Sequence, residues 1–185
     1  FAEIAQAYGA EVPALRPAHL AADTSPSSAA VVHMLDTLEA QGERFDYLVL
    51  LEPTSPLTEA SDVDGALERL VARRDIADAL VSVNELTSSH PAFAVRQRPD
   101  GRLEPYAAVD FTRLPRRQDV DPIYALDGSL YISSVAAYRK NLSFCHDRTL
   151  SYVMPHYKSL EVDSLIDFIC IEAILNNYEQ IRCAA

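Results

Sequence analysis

The sequence predicts a single α/β domain with a mainly parallel sheet. Its apolar pattern alternates along the chain between helical spacing and short continuous runs, in the order helix, strand, helix, strand. Short connections between such elements are typical of right-handed crossover units, which disfavours helical bundles and β-sandwiches. The 185 residues, of which 49% are hydrophobic and 23% charged, are enough to bury one core.

The first elements set this order. Residues 1–8 have the pattern of the last turns of a helix, which Gly9 ends. A second helix follows Ser25, its expected N-cap, and ends at Gly42. The continuous apolar run Tyr47–Leu51 predicts a parallel strand that is covered on both faces.

The middle of the chain continues the alternation and then departs from it. A third helix is predicted from about Ser61, and its apolar face consists of Val63, Leu67, Leu70 and Val71. A short apolar strand follows at 79–83. The Pro-Asp-Gly turn at 99–101 joins two short segments, 94–98 and 103–107, and predicts a hairpin that leaves the sheet.

The last third completes the domain. A strand is predicted at 130–132, a short helix at 135–140, and a strand at 159–162 that leads into a final helix. Ser164 and Asp167 have capping-box spacing at the start of this helix. Its expected buried residues are Leu165, Phe168, Ile169 and Ile174. The sequence contains no internal repeat and no linker, so residues 1–185 form one domain.

Charge and composition exclude several classes of function. A net charge of −11 and a pI near 4.8 argue against binding of nucleic acid or anionic membranes through bulk charge. No apolar run reaches the roughly 18 residues of a membrane helix. The three cysteines lack the spacing of a disulfide framework or zinc site, which favours a soluble protein of the reducing cytoplasm. The five glycines form no phosphate-binding loop.

Two polar segments are candidate ligand sites, each with a plain alternative. The loop at 51–57 follows a strand, where α/β sheets bind ligands, but its composition alone favours an ordinary strand-to-helix turn. Arg113, Arg116 and Arg117 form a basic cluster whose planar guanidinium groups suit carboxylate or phosphate oxygens. A solvated loop that pairs with surface acids explains the cluster equally well.

A third candidate is the acidic pair Glu161 and Asp163. On extended backbone, residues two apart point to the same side, and paired carboxylates can hold Mg²⁺. The alternative is that Asp163 or Ser164 caps the last helix while Glu161 is solvated. The residues alone favour the cap.

Taken in order, these segments resemble the acylneuraminate cytidylyltransferases, the CMP-sialic acid synthetase family. The matching stretches run from the start of the chain to its last helix. They are Y-G-A-E-V at 8–12, L-R-P-A-H-L at 15–20, D-T-S at 23–25, L-L-E-P-T-S-P-L at 50–57, S-H-P at 89–91, P-R-R-Q-D at 115–119, D-G-S-L-Y-I at 127–132, M-P at 154–155 and S-L-E-V-D-S at 159–164. The P-T-S-P-L loop is moderately specific by itself, and the ordered set is far more so.

The resemblance implies a Rossmann-like nucleotide-diphospho-sugar transferase fold and a homodimer. In the family, an arm from one subunit helps to complete the partner's site, and the hairpin at 94–107 with the arginine segment would be that arm. The implied reaction transfers CMP from CTP to a nonulosonic acid, releases pyrophosphate and uses Mg²⁺. This overturns the preference for a helix cap at Asp163.

The resemblance also assigns residues to roles. Arg16 and Ser25 match positions that contact cytidine, and Ser27 matches one near the junction of nucleotide and sugar. Glu161 and Asp163 match the Mg²⁺ carboxylates and, with Arg117, would be catalytic. The positions that match the sugar site are Glu52, Arg117, Gln118, Tyr131 and Phe144.

Four residues depart from the family's pattern. Glu52 replaces a common Gln and Asp127 a usual Asn, whereas Phe93 and Ala125 stand where Lys and Arg occur. All but Asp127 match positions close to the sugar. A sugar pocket with two cations fewer and one carboxylate more is less suited to N-acetylneuraminate. The departures therefore favour a legionaminic- or pseudaminic-type sugar.

The family's opening strand, its A-R-x-x-S-K-G type loop and its S-T-D strand have no counterpart in this sequence. We therefore expect the 185-residue chain alone to be inactive. Two alternatives are a non-catalytic dimerisation or sugar-binding remnant and a same-fold transferase for another sugar acid, such as 3-deoxy-manno-octulosonic acid. An unrelated α/β binding module would require the ordered matches to be coincidental.

Overall fold

The computed structural model is an α/β structure and describes residues 1–22, 24–87 and 89–184. Asp23, in the D-T-S segment, lies outside the described residues. The helices are α1 (Ala2–Ala7), α2 (Ser27–Ala40), α3 (Ala60–Ala72), α4 (Val135–Asn141), α5 (Leu165–Asn176) and α6 (Tyr178–Ala184). The strands are β1 (Tyr47–Leu51), β2 (Ala79–Glu85), β3 (Val95–Gln97), β4 (Leu103–Pro105), β5 (Tyr124–Ser134) and β6 (Thr149–Val153).

The main sheet is mixed, so the prediction of a mainly parallel sheet is wrong. Within the described residues its strand order is β1-β5-β2-β6. β5 is antiparallel to both β1 and β2, and β2 is parallel to β6. β1 and β2 do run in the same direction, as a crossover through α3 requires. The chain returns from its hairpin excursion as β5 and inserts between them in the opposite direction.

The core lies on both faces of the two central strands, β2 and β5. On one face Leu80, Leu130 and Ile132 pack with Leu70 of α3. On the other face Val81 packs with residues of α2 and α4, because successive side chains of a strand point to opposite faces. Val71, predicted on the apolar face of α3, is exposed.

β1 is not covered on both faces. It pairs with β5 and, in the part of the chain that the structure describes, with no other strand. Leu51 is 50% exposed, and Val49 is also exposed. The apolar run 47–51 therefore predicts the strand correctly but not its place at the edge of the described sheet.

The predicted strand at 159–162 is absent from the described secondary structure, and β6 occupies an earlier position. Thr149 and Ser151 alternate with Leu150 and Tyr152, the pattern of a half-buried strand, which a search for continuous apolar runs misses. A short 3₁₀ turn, His156–Lys158, follows β6 and leads to an irregular connection.

α5 begins where the sequence predicts but buries different residues. Ser164 and Asp167 form the expected capping box. Leu165 is 74% exposed, Phe168 and Ile169 are also exposed, and Ile171 is buried instead. Because α5 is apolar on all sides, its spacing cannot select one buried face.

Two further elements matter for the site. β3 and β4 pair antiparallel in a separate small sheet, which confirms the predicted hairpin. Ser25 does not cap α2, because Pro26 is the N-cap and the Ser25 hydroxyl donates to the carbonyl of His19 at 2.9 Å. No helix within the described residues is long and apolar enough to cross a membrane.

Candidate functional site

A cavity of about 610 Å³ lies between α2, β1 and the segment around Arg16. Its polar wall includes Arg16, Ser27 and Glu52, which the sequence assigned to nucleotide and sugar. Its apolar wall includes Val31, Met34, Leu35, Leu38, Phe45, Leu48 and Leu50. The fold therefore brings one cation, one hydroxyl and one carboxylate to the edge of an apolar cleft, as small-molecule sites require. Ser25 lies nearby in sequence but not on this wall.

A β-bulge interrupts the middle of β5, next to the last residue of β1. The register of β2 against β5 shifts between Val81 and Val83, and Gly128 adopts a left-handed φ of 72°. Because Leu51 pairs with Leu130, the loop that starts at Glu52 leaves the sheet beside this bulge. Bulges commonly redirect side chains next to active sites.

Asp127 is buried at the bulge and is only 3% exposed. Its Oδ1 accepts hydrogen bonds from the Ser82 hydroxyl and from the Ser129 amide, the latter at 3.0 Å. The Ser82 oxygen accepts from the amide of Leu130 at 2.8 Å. Asp127 Oδ2 is buried without a hydrogen-bond partner among the described residues. Such a group is costly to bury unless a ligand or cation satisfies it.

The carboxylate of Glu161 lies directly over Gly128. A Cβ added at Gly128 would collide with the Glu161 Oε1 atom, so the absent side chain makes room for this carboxylate. Burial raises the pKa of Glu161, and the nearby charges of Asp163, Asp127 and Glu52 raise it further. These carboxylates therefore form one electrostatically coupled cluster.

Tyr131 stands beside the same cluster. Burial raises the pKa of its hydroxyl, and the charges of Glu161, Glu52 and Asp127 add to the effect. Its ring lies 5.5 Å from the ring of Phe144, which is buried against Tyr138. The structure thus brings the sugar-site candidates Tyr131 and Phe144 together.

The connection that carries Glu161 and Asp163 is held at both sides. The amide of Val162 donates to the carbonyl of Thr54 in the P-T-S-P-L loop at 2.8 Å. The amide of Asp163 donates to Asp167 Oδ2 at 3.3 Å, while its own side chain is exposed. Ser164 caps α5, so the alternative role of Asp163 as the helix cap is not needed.

The donor set fits Mg²⁺, a hard cation that prefers carboxylate oxygens and keeps water or phosphate in its shell. Glu161 and Asp163 supply such oxygens, and the partnerless Asp127 Oδ2 adds negative charge nearby. Within the described residues, no group of three or more His, Cys, Asp or Glu side chains is arranged as a complete metal site.

Arg117 and Gln118 are not part of this assembly in the single chain. They lie exposed on a short 3₁₀ turn, Arg117–Asp119, that precedes β5. The neighbouring Arg116 is held by Asp119 at 2.7 Å, an exposed pair that raises the pKa of Arg116. No hydrogen bond of Arg117 or Gln118 to the carboxylate cluster occurs among the described residues.

Sequence reasoning missed two parts of the site. It noted Asp127 but placed it away from the sugar, whereas the structure couples it to Glu161 and Tyr131. The D-G-S tripeptide inside an apolar strand was an available signal, because an internal Gly marks a bulge. Lys158 was not singled out, and only the fold reveals that it is buried.

A cavity beside an edge strand, with Glu52 directly after the last residue of that strand, is typical of α/β proteins that bind small ligands at the sheet edge. No protein-family model matches the chain. It is 30% identical over 175 residues to the CMP-N,N'-diacetyllegionaminic acid synthase of Legionella pneumophila. The aligned region covers 94% of this chain and 73% of that protein. The chain belongs to the acylneuraminate cytidylyltransferase (CMP-sialic acid synthetase) family.

Two other curated relatives have different lengths. The post-translational flagellin modification protein B of Campylobacter coli is 30% identical over 178 residues, covering 94% of this chain and 72% of that protein. The N-acylneuraminate cytidylyltransferase of Streptococcus agalactiae is 31% identical over 147 residues. The match covers 80% of this chain but only 34% of the streptococcal protein.

Proposed function

We propose that this protein transfers CMP from CTP to a sialic-acid-like nonulosonic acid and releases pyrophosphate. The observation that carries the proposal is the Glu161 carboxylate held over Gly128, close to the charges of Asp163 and of Glu52 on the cavity wall, in a member of this family. The relatives' names indicate the reaction type, and the cavity with its neighbouring carboxylates supports this region as the reaction site.

In the proposed reaction, the anomeric hydroxyl oxygen of the sugar acid attacks the α-phosphorus of CTP. The new O–P bond forms while the bond between the α-phosphorus and the bridging oxygen breaks, and pyrophosphate leaves with that oxygen. The hydroxyl proton passes to a carboxylate, for which Asp163 and Glu52 are the candidates in this chain. Positioning and charge stabilisation supply the rate, without a covalent enzyme intermediate.

The chain's residues divide this work. Glu161 and Asp163 would hold Mg²⁺, which when bound offsets negative charge on the phosphate oxygens. Arg16, Ser25 and Ser27 would bind the nucleotide. The sugar acid would be held by Glu52, Arg117, Gln118, Tyr131 and Phe144.

The proposed assembly is a homodimer of Rossmann-like subunits, in which the hairpin arm of each subunit reaches the partner's site. The exposed position of Arg117 and Gln118, on the segment between the hairpin and β5, supports a role outside their own subunit. A β3–β4 pair is marginally stable by itself, and docking against a partner would stabilise it. The cytoplasmic location stays a prediction from cysteine usage.

The proposed sugar is a legionaminic- or pseudaminic-type acid. Glu52 lines the cavity, and Phe93, where a Lys is common in the family, packs its ring 6.0 Å from the ring of His90. Glu52 therefore places a carboxylate on the cavity wall where the family pattern has an amide, and Phe93 places an aromatic ring beside His90 where the pattern has a cation. We expect kcat/KM to be higher for such a sugar than for N-acetylneuraminate.

The test is a pyrophosphate-release assay on protein expressed from its complete coding sequence, with CTP, Mg²⁺ and a panel of nonulosonic acids. We expect release with one class of sugar and its loss in Asp163→Asn. Asp147→Asn, which changes an exposed carboxylate of α4's C-terminal connection, is the matched control and should keep the activity.

Each other outcome changes a specific conclusion. No release with any sugar would favour the non-catalytic dimerisation or sugar-binding alternative, and release with an octulosonic acid would favour the other same-fold transferase. N-acetylneuraminate as the best substrate would contradict the proposed sugar class. Turnover by the 185-residue chain itself would contradict the expectation that it is inactive alone.

A further inference from the structure

A buried lysine lies three residues before Glu161 and contacts the start of α3. Lys158 is 5% exposed, and its Nζ contacts Glu59 Oε2 at 2.5 Å and the two Asp62 oxygens at 2.8 and 3.0 Å. Burial by itself lowers the pKa of Lys158, but the hydrogen bonds to Asp62 and Glu59 outweigh it and raise the pKa above its ordinary value. The ammonium is therefore fully engaged by α3.

The partners of Lys158 are themselves fixed. Glu59 and Asp62 form the capping box of α3, in which the amide of Glu59 donates to Asp62 Oδ2 at 2.8 Å. Asp62 is buried, and the hydrogen bond from Lys158 is the main cause that lowers the pKa of Glu59. The ammonium thus binds a rigid helix start rather than a mobile surface group.

A second anchor lies four residues further along the chain. Val162 donates its amide to Thr54, in the loop that leads directly into α3. The segments 54–59 and 158–162 are therefore joined at both ends, by a buried ion pair at one end and a backbone hydrogen bond at the other. Glu161 lies inside this closed ring and is directed over Gly128.

We infer that Lys158 is a positioning residue, which holds the Glu161 and Asp163 carboxylates in place through its buried contacts with Glu59 and Asp62. The inference rests on the proposed function, because it gives those carboxylates a metal to bind. Residues that orient metal ligands without touching the metal commonly change metal affinity tenfold or more when they are replaced.

The test compares Lys158→Met, Lys158→Arg and Arg148→Met in the protein expressed from its complete coding sequence. Lys158→Met keeps an unbranched side chain, shorter by the terminal nitrogen, and removes its charge, whereas Lys158→Arg keeps the charge. Arg148→Met is the matched control, because it breaks another ion pair, Arg148 to Asp78 at 2.6 Å. This pair lies where β2 and β6 begin, whereas Lys158 follows the end of β6.

Two readouts separate positioning from plain stability. We expect Lys158→Met to weaken binding of Mn²⁺, a paramagnetic substitute for Mg²⁺, by about tenfold in electron paramagnetic resonance titrations. We also expect faster amide hydrogen exchange at 159–164 in this variant. Lys158→Arg should recover most of the affinity, and Arg148→Met should change neither readout, even where it lowers the melting temperature.

The outcomes distinguish this inference from the proposed function. Equal Mn²⁺ affinity and equal exchange at 159–164 in Lys158→Met and Arg148→Met would overturn the positioning role. If the wild-type protein bound no Mn²⁺, the metal role of Glu161 and Asp163 would fail, and the exchange comparison alone would decide on Lys158. If Lys158→Met failed to fold, Glu59→Gln, which removes the charge of the half-exposed partner, would replace it: weaker Mn²⁺ binding than in Arg148→Met would support the role, and equal binding would oppose it.

Discussion

Gly128 connects backbone conformation to the chemistry of the site. Its φ of 72° disfavours a side chain, and an added Cβ would meet the carboxylate of Glu161. Gly101 has a similar φ of 83°, but a Cβ there would meet nothing within 4 Å. The two glycines thus share the left-handed conformation and differ in what lies next to the position of a Cβ atom.

We predict that Gly128→Ala weakens metal binding as well as lowering stability. Both Gly128→Ala and Gly101→Ala should lose about 1 kcal/mol of unfolding free energy from the left-handed conformation. Only Gly128→Ala should also weaken Mn²⁺ binding, by about tenfold, because Glu161 must move. Urea unfolding and metal titration measure the two effects. Equal Mn²⁺ affinities in the two variants would remove Glu161 from the metal site.

The neighbouring carboxylates repel ionised Glu161. Burial and the charges of Asp163, Asp127 and Glu52 raise its pKa, so the fold favours the protonated form. A raised carboxylate pKa means that ionised Glu161 destabilises the folded state, and this effect appears as the pH rises through and above the ordinary value of about 4.3.

We predict that Glu161→Gln is more stable than the wild type at pH 7 without metal, by about 1 kcal/mol. The difference should shrink at pH 4 and below, where the wild-type carboxyl is largely protonated in both states. Saturating Mg²⁺ should reverse the order, because it stabilises only the wild type. Glu68→Gln, an exposed change on α3, is the control and should show neither trend. A Glu161→Gln variant that is less stable than the wild type at pH 7 would contradict this account.

At the scale of elements, α5 is where sequence pattern and structure disagree most. Ile171 is buried, whereas Ile169 is more than half exposed although both residues are isoleucines of one apolar helix. We predict that Ile171→Ala costs the 185-residue chain about 2–4 kcal/mol of unfolding free energy, and Ile169→Ala only about 0.5. Chemical denaturation measures both. A larger cost for Ile169→Ala than for Ile171→Ala would mean that α5 packs through the face the sequence predicted.

The success of the sequence predictions depends on whether the deciding interaction is local. Ser164 and Asp167 lie three residues apart, so the start of α5 is readable from the chain, as is the β3–β4 turn at 99–101. The position of β5 beside β1 and its antiparallel direction depend on long-range pairs such as Leu51 with Leu130. No local sequence pattern encodes such pairs.

The same distinction applies to the candidate site. Glu161, Asp163, Tyr131 and Glu52 were found through the family's motifs, and the fold does bring Glu161, Tyr131 and Glu52 into one electrostatic cluster. Lys158 could not be found, because its partner Asp62 lies 96 residues away and a lysine in sequence normally indicates an exposed side chain. Arg117 stays a prediction, since a single chain leaves it exposed.

At the scale of the whole molecule, charge is distributed unevenly. The chain carries a net charge of −11, and its carboxylate cluster of Glu52, Asp127, Glu161 and Asp163 would repel an anionic substrate without added cations. Mg²⁺ would supply positive charge, and in the proposed dimer the exposed arginine segment of a second subunit would supply more. An active site that combines the acidic cluster of one subunit with the arginines of its partner would resolve the imbalance.

This arrangement predicts complementation between two inactive variants. Arg117→Ala should inactivate the site to which the arm is donated, and Asp163→Asn the site of its own subunit. If the arm acts in the partner, a mixed dimer has one site that carries both changes and one that carries neither. Random exchange makes about half of all dimers mixed, so about a quarter of all sites, and of the wild-type pyrophosphate release, should return. Sites built within one subunit would each keep one damaging change, and mixing would then restore no activity. Sedimentation of each variant as a dimer is the control, because a monomeric variant could not exchange arms.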